Sequence, residues 1–344
     1  MASARQPLAP CTSATLVLAA VLAAAPWTGG QTRVGGTAPA AQSTSATAAP
    51  AALDAAQLID DLHTLAAPAM EGRRSGTPGN RRARQMILDR FTRLALEPVG
   101  GSYLQPFPLG GDGADRAPGA PEGVNVMALA PGSRDPHRVV LVSAHYDHVG
   151  MRRGQLYPGA DDNASGVAAL LATAAWFARH PPDSSVLFVA FDAEEPGLLG
   201  ATHFVAHPPI PLDRILAVVN ADMIGRGDRG TIVVAGTYHY PTLKPYVAGA
   251  AKGRRLRVVF GHDRPARDSG LEDWTESSDH GPFHRAGVPF LYFGVQNHGD
   301  YHKPSDTPDR IPREFFVEAA ELILDTVRRL ARSRAPEQGA FRTQ

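Results

Sequence analysis

Residues 139–150 read VVLVSAHYDHVG and residues 186–195 read VLFVAFDAEE, and each apolar run ends in histidine or carboxylate side chains. Continuous apolar runs of this kind are typical of strands that are buried on both faces of a sheet. Further short apolar runs alternate with stretches of helical periodicity along the chain. This alternation predicts a three-layer α/β domain.

The pattern of apolar residues predicts the positions of the main elements. An early helix carries Leu58, Ile59, Leu62 and Leu65 on one face, and a second helix is predicted to start after Gly79. The predicted strands are Asn125–Ala130, Arg138–Ala144, Val186–Phe191, Ile215–Asn220, Thr231–Ala235, Leu256–Phe260 and Val288–Phe293. The other predicted helices are Ala164–Arg179, Leu198–Ala206, Leu243–Ala251 and Arg313–Ala331.

The composition excludes several classes of protein and of site. Lys and Arg total 34 of the 344 residues and Asp and Glu also total 34, so the formal net charge is zero and nothing indicates nucleic acid as a partner. Cys11 is the only cysteine, which excludes an intrachain disulfide and a thiolate metal cluster. A metal site in this chain must therefore use carboxylates and some of its 13 histidines.

The N-terminal region is typical of a targeting segment. Residues 12–25 are almost wholly apolar, but the run is shorter than the roughly 20 residues that span a bilayer. We therefore expect a signal peptide over residues 1–30 and a secreted or periplasmic protein without a stable membrane anchor after cleavage. The alternatives are a buried helix or a retained anchor. Residues 31–52 are predicted to be a flexible linker, and residues 53–344 a single domain.

Residues of the types that bind metals follow the predicted strands. Because open α/β sheets bind ligands at the carboxyl ends of their strands, side chains at these positions should meet at one edge. A single aspartate after a strand is also typical of a helix cap or a turn. Five such segments along one sheet edge indicate a functional site instead. Its candidates are His145, Asp147, Asp161, Asp162, Glu194, Glu195, Asp222, Tyr301 and His302.

Several of these segments resemble one known family of peptidases. The motifs SAHYDHVG, PGADDNASG, FDAEEPGLLG, NADMIG and YHKPSDTPD occur in the order found in the secreted di-zinc exopeptidases of clan MH, the family-twenty-eight aminopeptidases. The resemblance extends from Leu53 to Leu330. It implies a mostly parallel, mixed sheet flanked by helices, as in the zinc exopeptidase and phosphorylase–hydrolase folds. It also implies two Zn²⁺ per chain and hydrolysis of the N-terminal residue of peptide substrates through a metal-bridging hydroxide.

The resemblance also implies a role for each matching residue. It assigns His145 and Asp222 to one zinc, Glu195 and His302 to the other, and Asp162 to a bridge between them. It assigns Glu194 as the general base, Asp147 as the residue that orients His145, and Tyr301 as a donor to the oxyanion, and it implies a cis peptide bond between Asp162 and Asn163.

The chemistry of peptide hydrolysis accounts for this combination of residues. Two metals about 3.5–4 Å apart can share a hydroxide and polarise the scissile carbonyl. The carboxylates of Asp162, Glu195 and Asp222, together with one hydroxide, balance the charge of two Zn²⁺ ions. Glu194 is then left to take a proton from the water and pass it to the leaving amine.

Three further residues are predicted to lie at the substrate pocket. Met223 follows a predicted ligand and is expected in the pocket wall, with a place in the core as the alternative. The resemblance places Asp279 and His280 beside the cleft, although the same segment could simply cap a short helix. We expect the histidines outside the motifs of the resemblance to have surface or packing roles, and we expect the same of His148.

Other functions on the same fold remain open at this point. A carboxypeptidase or a dipeptidase of the same family would need the same metal ligands. A glutaminyl cyclase would catalyse an acyl transfer on a related fold, typically with one zinc. A non-catalytic relative would serve as a binding module, but such relatives usually lack a ligand or the base. The sequence predicts no oligomeric state.

Overall fold

The computed structural model of this chain describes residues 53–110 and 122–332. The predicted signal peptide and linker lie outside the described residues and stay predictions. Among the described residues, no helix combines the length and the apolar character needed to cross a membrane.

The described residues form one large mixed sheet and one small hairpin. The strands are β1 (Leu104–Pro108), β2 (Glu122–Ala130), β3 (Asp135–His145), β4 (Gly150–Arg152), β5 (Gln155–Tyr157), β6 (Ser184–Phe191), β7 (Ile215–Ala221), β8 (Thr231–Ala235), β9 (Arg257–Phe260) and β10 (Phe290–Gly294). The order of strands across the large sheet is β1-β2-β6-β3-β7-β10-β8-β9, and β4 pairs with β5 separately.

Four neighbouring strands in the middle of the sheet run parallel. Strand β3 pairs in parallel with β6 on one side and with β7 on the other, and β7 pairs in parallel with β10. Antiparallel pairing begins outside this group, at β2 next to β6 and at β8 next to β10. The carboxyl ends of the four central strands therefore lie side by side at one edge of the sheet.

Helices cover both faces of this sheet, which confirms the predicted three-layer α/β architecture. The helices are α1 (Ala55–Leu65), α2 (Pro78–Arg93), α3 (Gly166–Arg179), α4 (Leu199–Ala206), α5 (Lys244–Ala250), α6 (Ala266–Ser269), α7 (His280–Arg285) and α8 (Arg313–Arg332). On one face α3 and α8 contact β3; α1 and α2 pack against α3, and α5 packs against α8. On the other face α7 contacts β7 and β10, and α4 contacts β1 and β2.

The burial of these elements follows their sequences. Every residue of β6 is buried, as expected for a central strand covered by helices on both faces. Helix α3 reads GVAALLATAAWFAR, and its many alanines let it pack closely on the sheet. Helix α8 is amphipathic and buries one apolar stripe, which includes Phe316, Ile323 and Leu330. The core thus lies in two layers, above and below the central strands.

A buried arginine ties the helices that precede the sheet to the loops at its carboxyl edge. Arg73 is fully buried, and its Nη1 atom donates to the carbonyl oxygens of Leu65 and Pro158, both at 2.7 Å. Its Nε atom donates to Tyr146 O at 2.9 Å and its Nη2 atom to Gly159 O at 2.8 Å. Burial lowers the pKa of Arg73 to about 10, although nearby carboxylates favour its charged form. One side chain therefore supplies donors to four backbone carbonyls.

We expect Arg73→Met to lower the stability of the fold by roughly 3 kcal/mol or more, because it leaves buried carbonyls without donors. That loss corresponds to a fall of about 5–10 °C in the midpoint of thermal unfolding. The matched control is Arg74→Met, since Arg74 is exposed and should tolerate the same change with little effect. Equal midpoints for the two variants would contradict this role of Arg73.

Candidate metal centre

The carboxyl ends of the four central strands bring the predicted ligands together. His145 is the last residue of β3, Glu194 and Glu195 follow β6, and Asp222 follows β7. The loop after β10 carries Tyr301 and His302. Asp162 comes from the turn Ala160–Ser165, which leads into α3. The sheet order thus explains why residues far apart in sequence lie side by side.

One group of ligand atoms forms around His145. Its Nε2 atom lies 3.1 Å from Asp222 Oδ1 and 3.4 Å from Asp162 Oδ1. His145 is 1% exposed and Asp222 is 7% exposed, so both side chains are shielded from solvent. Burial opposes the protonated form of His145, but Asp222 and the neighbouring carboxylates raise its pKa well above the usual range.

A second group forms around His302, and it uses the other oxygen of Asp162. His302 Nε2 lies 3.0 Å from Asp162 Oδ2 and 3.2 Å from Glu195 Oε2. Asp162 therefore turns one carboxylate oxygen towards each histidine. This is the arrangement of a carboxylate that bridges two cations.

The donor set fits a pair of zinc ions. Zinc binds histidine nitrogens and carboxylate oxygens at about 2.0–2.2 Å, so two ligand atoms on one tetrahedral zinc lie roughly 3.3 Å apart. The four separations between ligand atoms given above range from 3.0 to 3.4 Å. Burial lowers the pKa of His302, but the carboxylates of Asp162 and Glu195 outweigh it and raise the pKa to about 10. This field favours a positive charge at the positions where metals would bind.

Glu194 lies beside the first group without pairing with its histidine. One of its oxygens lies within 4.8 Å of the ligand atoms of His145 and Asp222. Desolvation raises the pKa of Glu194 well above its usual range; His145 opposes the shift, and the carboxylates of Asp222 and Asp279 add to it. A carboxylate with a raised pKa can accept a proton and give it back at neutral pH.

Asp147 holds the two adjacent glutamates through their backbone. Its Oδ1 atom accepts the N–H of Glu194 at 3.0 Å, and its Oδ2 atom accepts that of Glu195 at 3.3 Å. The predicted orienting contact to His145 is longer, since Asp147 Oδ1 lies 3.7 Å from Nδ1 of His145. The backbone oxygen of Asp147 lies closer to that nitrogen, at 3.2 Å. Asp147 thus reaches the ring of His145 mainly through its main chain.

Two side chains outside the predicted set fix the loop that carries Asp162. The carboxylate of Asp306 accepts the backbone N–H groups of Asp161 and Asp162 at 3.0–3.1 Å. The amide of Asn163 donates to Ala221 O at 2.9 Å, which ties this loop to the end of β7. The peptide bond between Asp162 and Asn163 is cis, as predicted.

Tyr301 stands next to His302 in both sequence and space. The two rings stack with their centroids 4.0 Å apart, and Tyr301 lines the cavity above the two groups. The preceding Asp300 accepts from Arg226 Nη1 at 2.7 Å and from Ser305 Oγ at 2.6 Å, which anchors the loop. Burial, together with the surrounding carboxylates, raises the pKa of Tyr301, so its hydroxyl stays a proton donor.

The three predicted pocket residues have different locations. Met223 lines the cavity, as expected. Asp279 and His280 are fully buried and are not among the described residues that line it. His280 instead packs on Phe290, with ring centroids 4.5 Å apart. Asp279 precedes α7 without capping it, because its buried carboxylate makes no hydrogen bond to the backbone of that helix.

The cavity above the metal groups has a volume of about 320 Å³ and an acidic lining. Besides the predicted ligands and Glu194, its wall includes the carboxylates of Glu272 and Glu276. Glu276 pairs with Arg285 at 2.6 Å, whereas Glu272 accepts from Trp274 Nε1 at 3.2 Å. Among the described lining residues there is no lysine or arginine. The cavity therefore suits a cationic group better than an anionic one.

Sequence reasoning missed one histidine at this centre. His148 was expected to be a surface or packing residue, but the structure buries it beside Glu195, with Nδ1 of its ring 2.7 Å from Oε1. Its only sequence signal is its position three residues after His145, which is not informative without the fold. Arg73 and Asp306 were also missed, because buried residues that bond to the main chain leave no spacing pattern.

A comparison with protein families matches more than half of the chain to one family. The model of "Peptidase family M28" matches residues 125–327. This range contains every predicted metal ligand and Glu194, but not the first two helices.

Curated relatives carry related descriptions. "Aminopeptidase YwaD" of Bacillus subtilis is 32% identical over 197 residues, which cover 55% of this chain and 40% of the relative. A "Probable zinc metalloprotease" of Pyrenophora tritici-repentis is 26% identical over 261 residues, 67% of this chain and 54% of the relative. The chain thus spans about half the length of the curated relatives that it matches.

Solved structures share the fold at low sequence identity. A zinc aminopeptidase from Bacillus subtilis, BSAP, aligns with a TM-score of 0.66 and 18% identity over 84% of this chain and 97% of that chain. A glutaminyl cyclase from an Acidobacteriales bacterium aligns with a TM-score of 0.64 and 23% identity over 85% and 99% of the two chains. Since both types of enzyme share this architecture, the choice between them depends on the residues of the site.

Proposed function

This chain belongs to peptidase family M28, and on that basis we propose that it is a zinc-dependent aminopeptidase that removes the N-terminal residue of peptides. The observation that carries the proposal is the division of the Asp162 carboxylate, with one oxygen towards His145 and the other towards His302. Two complete groups of ligands, rather than one, support a pair of zinc ions. They also favour peptide hydrolysis over the cyclase alternative.

In the proposed centre, each zinc has its own residues. His145 and Asp222 would hold one zinc, Glu195 and His302 would hold the other, and Asp162 would hold both. When bound, zinc would lower the pKa of a water molecule and polarise the scissile carbonyl.

The protein groups then account for proton transfer and for substrate position. Glu194 lies close enough to the first group to accept the proton of the attacking water, and its raised pKa favours return of that proton to the leaving amine. Asp147 accepts a hydrogen bond from the backbone N–H of Glu194, and this contact helps to hold the Glu194 carboxylate in position. Tyr301 lies on the cavity side, where its hydroxyl can donate to the oxygen of the tetrahedral intermediate.

The charge of the cavity favours the N-terminal rather than the C-terminal end of a peptide. An aminopeptidase must accept a free ammonium group, whereas a carboxypeptidase must accept a free carboxylate, usually on arginine or lysine. The described lining of the cavity offers carboxylates such as Glu272 and no basic side chain other than histidine. A substrate with its ammonium group in this cavity gains favourable electrostatic interactions, and one with its carboxylate there does not.

One experiment tests this function against its alternatives. The number of zinc ions per chain is measured in the purified protein. The same protein is then assayed on aminoacyl-anilides and on these anilides with acetylated amines. Carboxypeptidase substrates, dipeptides and peptides with N-terminal glutamine test the three alternatives. We expect two zincs per chain. Of the anilides, only those with a free amine should be cleaved. Cleavage that prefers the other substrates, or cyclisation without hydrolysis, would contradict the proposal.

We expect Tyr301→Phe to lower kcat by about 10²–10³-fold, because it removes one preorganised donor to the oxyanion. The KM should change little, since the hydroxyl acts mainly in the transition state. Steady-state kinetics and zinc analysis on the same preparation check both points.

The matched control is Tyr292→Phe. Tyr292 also lines the cavity, but its hydroxyl donates to the backbone oxygen of Asp222 at 3.2 Å. This variant should therefore retain much more of the kcat. A Tyr301→Phe enzyme with unchanged kcat, or an equal loss in the two variants, would exclude a specific role for the Tyr301 hydroxyl.

A further inference from the structure

We propose that His148 is a positioning residue of the metal centre, which holds Oε1 of Glu195 so that Oε2 faces His302. The inference rests on the metal centre of the proposed function and adds a residue to it. His148 contacts no bound substrate in this scheme. It acts through Glu195, the ligand that would hold the second zinc together with His302 and Asp162.

His148 and Glu195 each bury an unpaired polar atom, and these two atoms face each other. His148 is 1% exposed, and its Nδ1 lies 2.7 Å from Oε1 of Glu195. The ring nitrogen does not point straight at the oxygen, and among the described residues neither atom has another hydrogen-bond partner. Buried polar atoms left unpaired are costly, so each atom is the natural partner of the other. A small rotation of the carboxylate completes the bond, because the terminal torsion of glutamate is broad and soft.

The distances from His148 to the neighbouring carboxylates fit a supporting contact better than a metal ligand. Two ligand atoms on one tetrahedral zinc lie roughly 3.3 Å apart. His148 Nδ1 lies closer than this to Glu195 Oε1, at 2.7 Å, and farther than this from Asp162 Oδ2, at 3.7 Å. The shorter value is the separation of a hydrogen bond from nitrogen to a carboxylate. His302 contacts the other oxygen of Glu195, so the two histidines divide this carboxylate between them.

The two ring nitrogens of His148 differ in whether a proton on them would have an acceptor. Both ring nitrogens of His148 are buried, and Nε2 has no hydrogen-bond partner among the described residues. A buried N–H without an acceptor is rarer in proteins than an acceptor that lacks a donor. A proton on Nδ1 has Glu195 as its acceptor, whereas a proton on Nε2 has none among the described residues, so the geometry favours the Nδ1–H tautomer. This tautomer makes His148 a donor to the ligand rather than a competitor for the metal.

The loop that carries Asp162 keeps the His148 ring in place. A Cβ atom at Gly159 would lie only 2.4–2.5 Å from Cδ2 and Cγ of the ring, so the ring packs directly on this glycine. Gly159 has a φ of 57°, and its carbonyl accepts from Arg73. The ring is therefore confined by the same loop that supplies the bridging carboxylate. With Oε1 engaged by His148, Glu195 presents a single oxygen, Oε2, towards the second zinc.

The test measures zinc affinity at the second site alone. In the full chain, Asp222→Asn weakens the first site, and dialysis against buffers of graded free Zn²⁺ then reports the second. Adding His148→Leu to this background should weaken the remaining site by about 10- to 100-fold, as for other residues that support a metal ligand. His148→Asn should restore most of the affinity, because its amide nitrogen can take the place of Nδ1.

A matched histidine and the wild-type chain complete the design. His180→Leu is the control, since His180 stacks on Trp176 at the end of α3, away from the metal groups. Unchanged affinity in the His148→Leu chain would overturn the inference. A loss far above 100-fold that His148→Asn does not restore would also overturn it, since this outcome identifies a direct ligand. If instead the wild type binds no zinc at all, the proposed function itself fails.

Discussion

Replacing Glu194 by glutamine should leave both zincs in place and reduce turnover by at least about 10²–10⁴-fold, the usual cost of removing a general base. The substitution keeps the size of the side chain and most of its contacts, but an amide cannot accept the proton of the attacking water. The loss should fall on kcat and on kcat/KM alike, because proton transfer stabilises the transition state and not the bound substrate. Steady-state kinetics and zinc analysis of the same preparation provide the measurement.

The adjacent glutamate provides the control for this prediction. Glu195→Gln changes the neighbouring residue in the same way, but Glu195 faces His302 and should hold a metal. We therefore expect that variant to lose zinc as well as activity. A Glu194→Gln enzyme within a few-fold of the wild-type kcat would show that Glu194 is not the base. Loss of zinc from the Glu194→Gln variant would show instead that Glu194 is a metal ligand.

Replacing Asp162 by alanine should remove both metals and leave activity below detection. Each oxygen of Asp162 faces a different histidine, so one substitution takes a ligand from both sites. Even a residue that only supports a ligand costs about 10- to 100-fold in affinity when removed, and the loss of a ligand should exceed that at each site. Zinc per chain after dialysis is the direct readout. A second readout is the stabilisation by added zinc, about 2.7 kcal/mol at a concentration 100-fold above Kd, which this variant should lack.

The neighbouring Asp161 provides the control for the bridging role. Asp161 Oδ2 contacts His298 at 3.1 Å, and its Oδ1 accepts the N–H of Gly225 at 2.6 Å, so it supports the loop without facing either metal group. Asp161→Asn keeps an acceptor for Gly225 and should retain two zincs. If Asp161→Asn lost both metals while Asp162→Ala kept them, the bridging assignment would have to move by one residue.

The central strands and the places of the candidate ligands that follow them could be predicted because each depends on a local pattern. A strand covered on both faces must be apolar throughout, and β6 is, so its boundaries were found to within two residues. A ligand that directly follows such a strand, as Asp222 follows β7, is placed at the sheet edge by topology alone. His145 is the last residue of β3 itself, so the same argument places it at that edge.

Strand β1 was not predicted, because its sequence LQPFP contains two prolines, which usually exclude a strand. The structure tolerates them because β1 is an edge strand that pairs only with β2 among the described strands. The place of His148 could not be predicted either, because its contact is with Glu195, 47 positions further along the chain. The resemblance placed Asp279 and His280 beside the cleft, but both are fully buried and neither is among the described residues that line the cavity.

The buried guanidinium of Arg73 bears on how this protein could be divided or recombined. The family model matches from residue 125, so Arg73 lies before the matched range, yet three of the four carbonyls that it binds, those of Tyr146, Pro158 and Gly159, lie inside it. A fragment limited to residues 125–327 would retain these acceptors in an apolar interior and lose their donor. A transferable unit that keeps this donor therefore begins with the helices that precede the sheet, before the range that the family model matches.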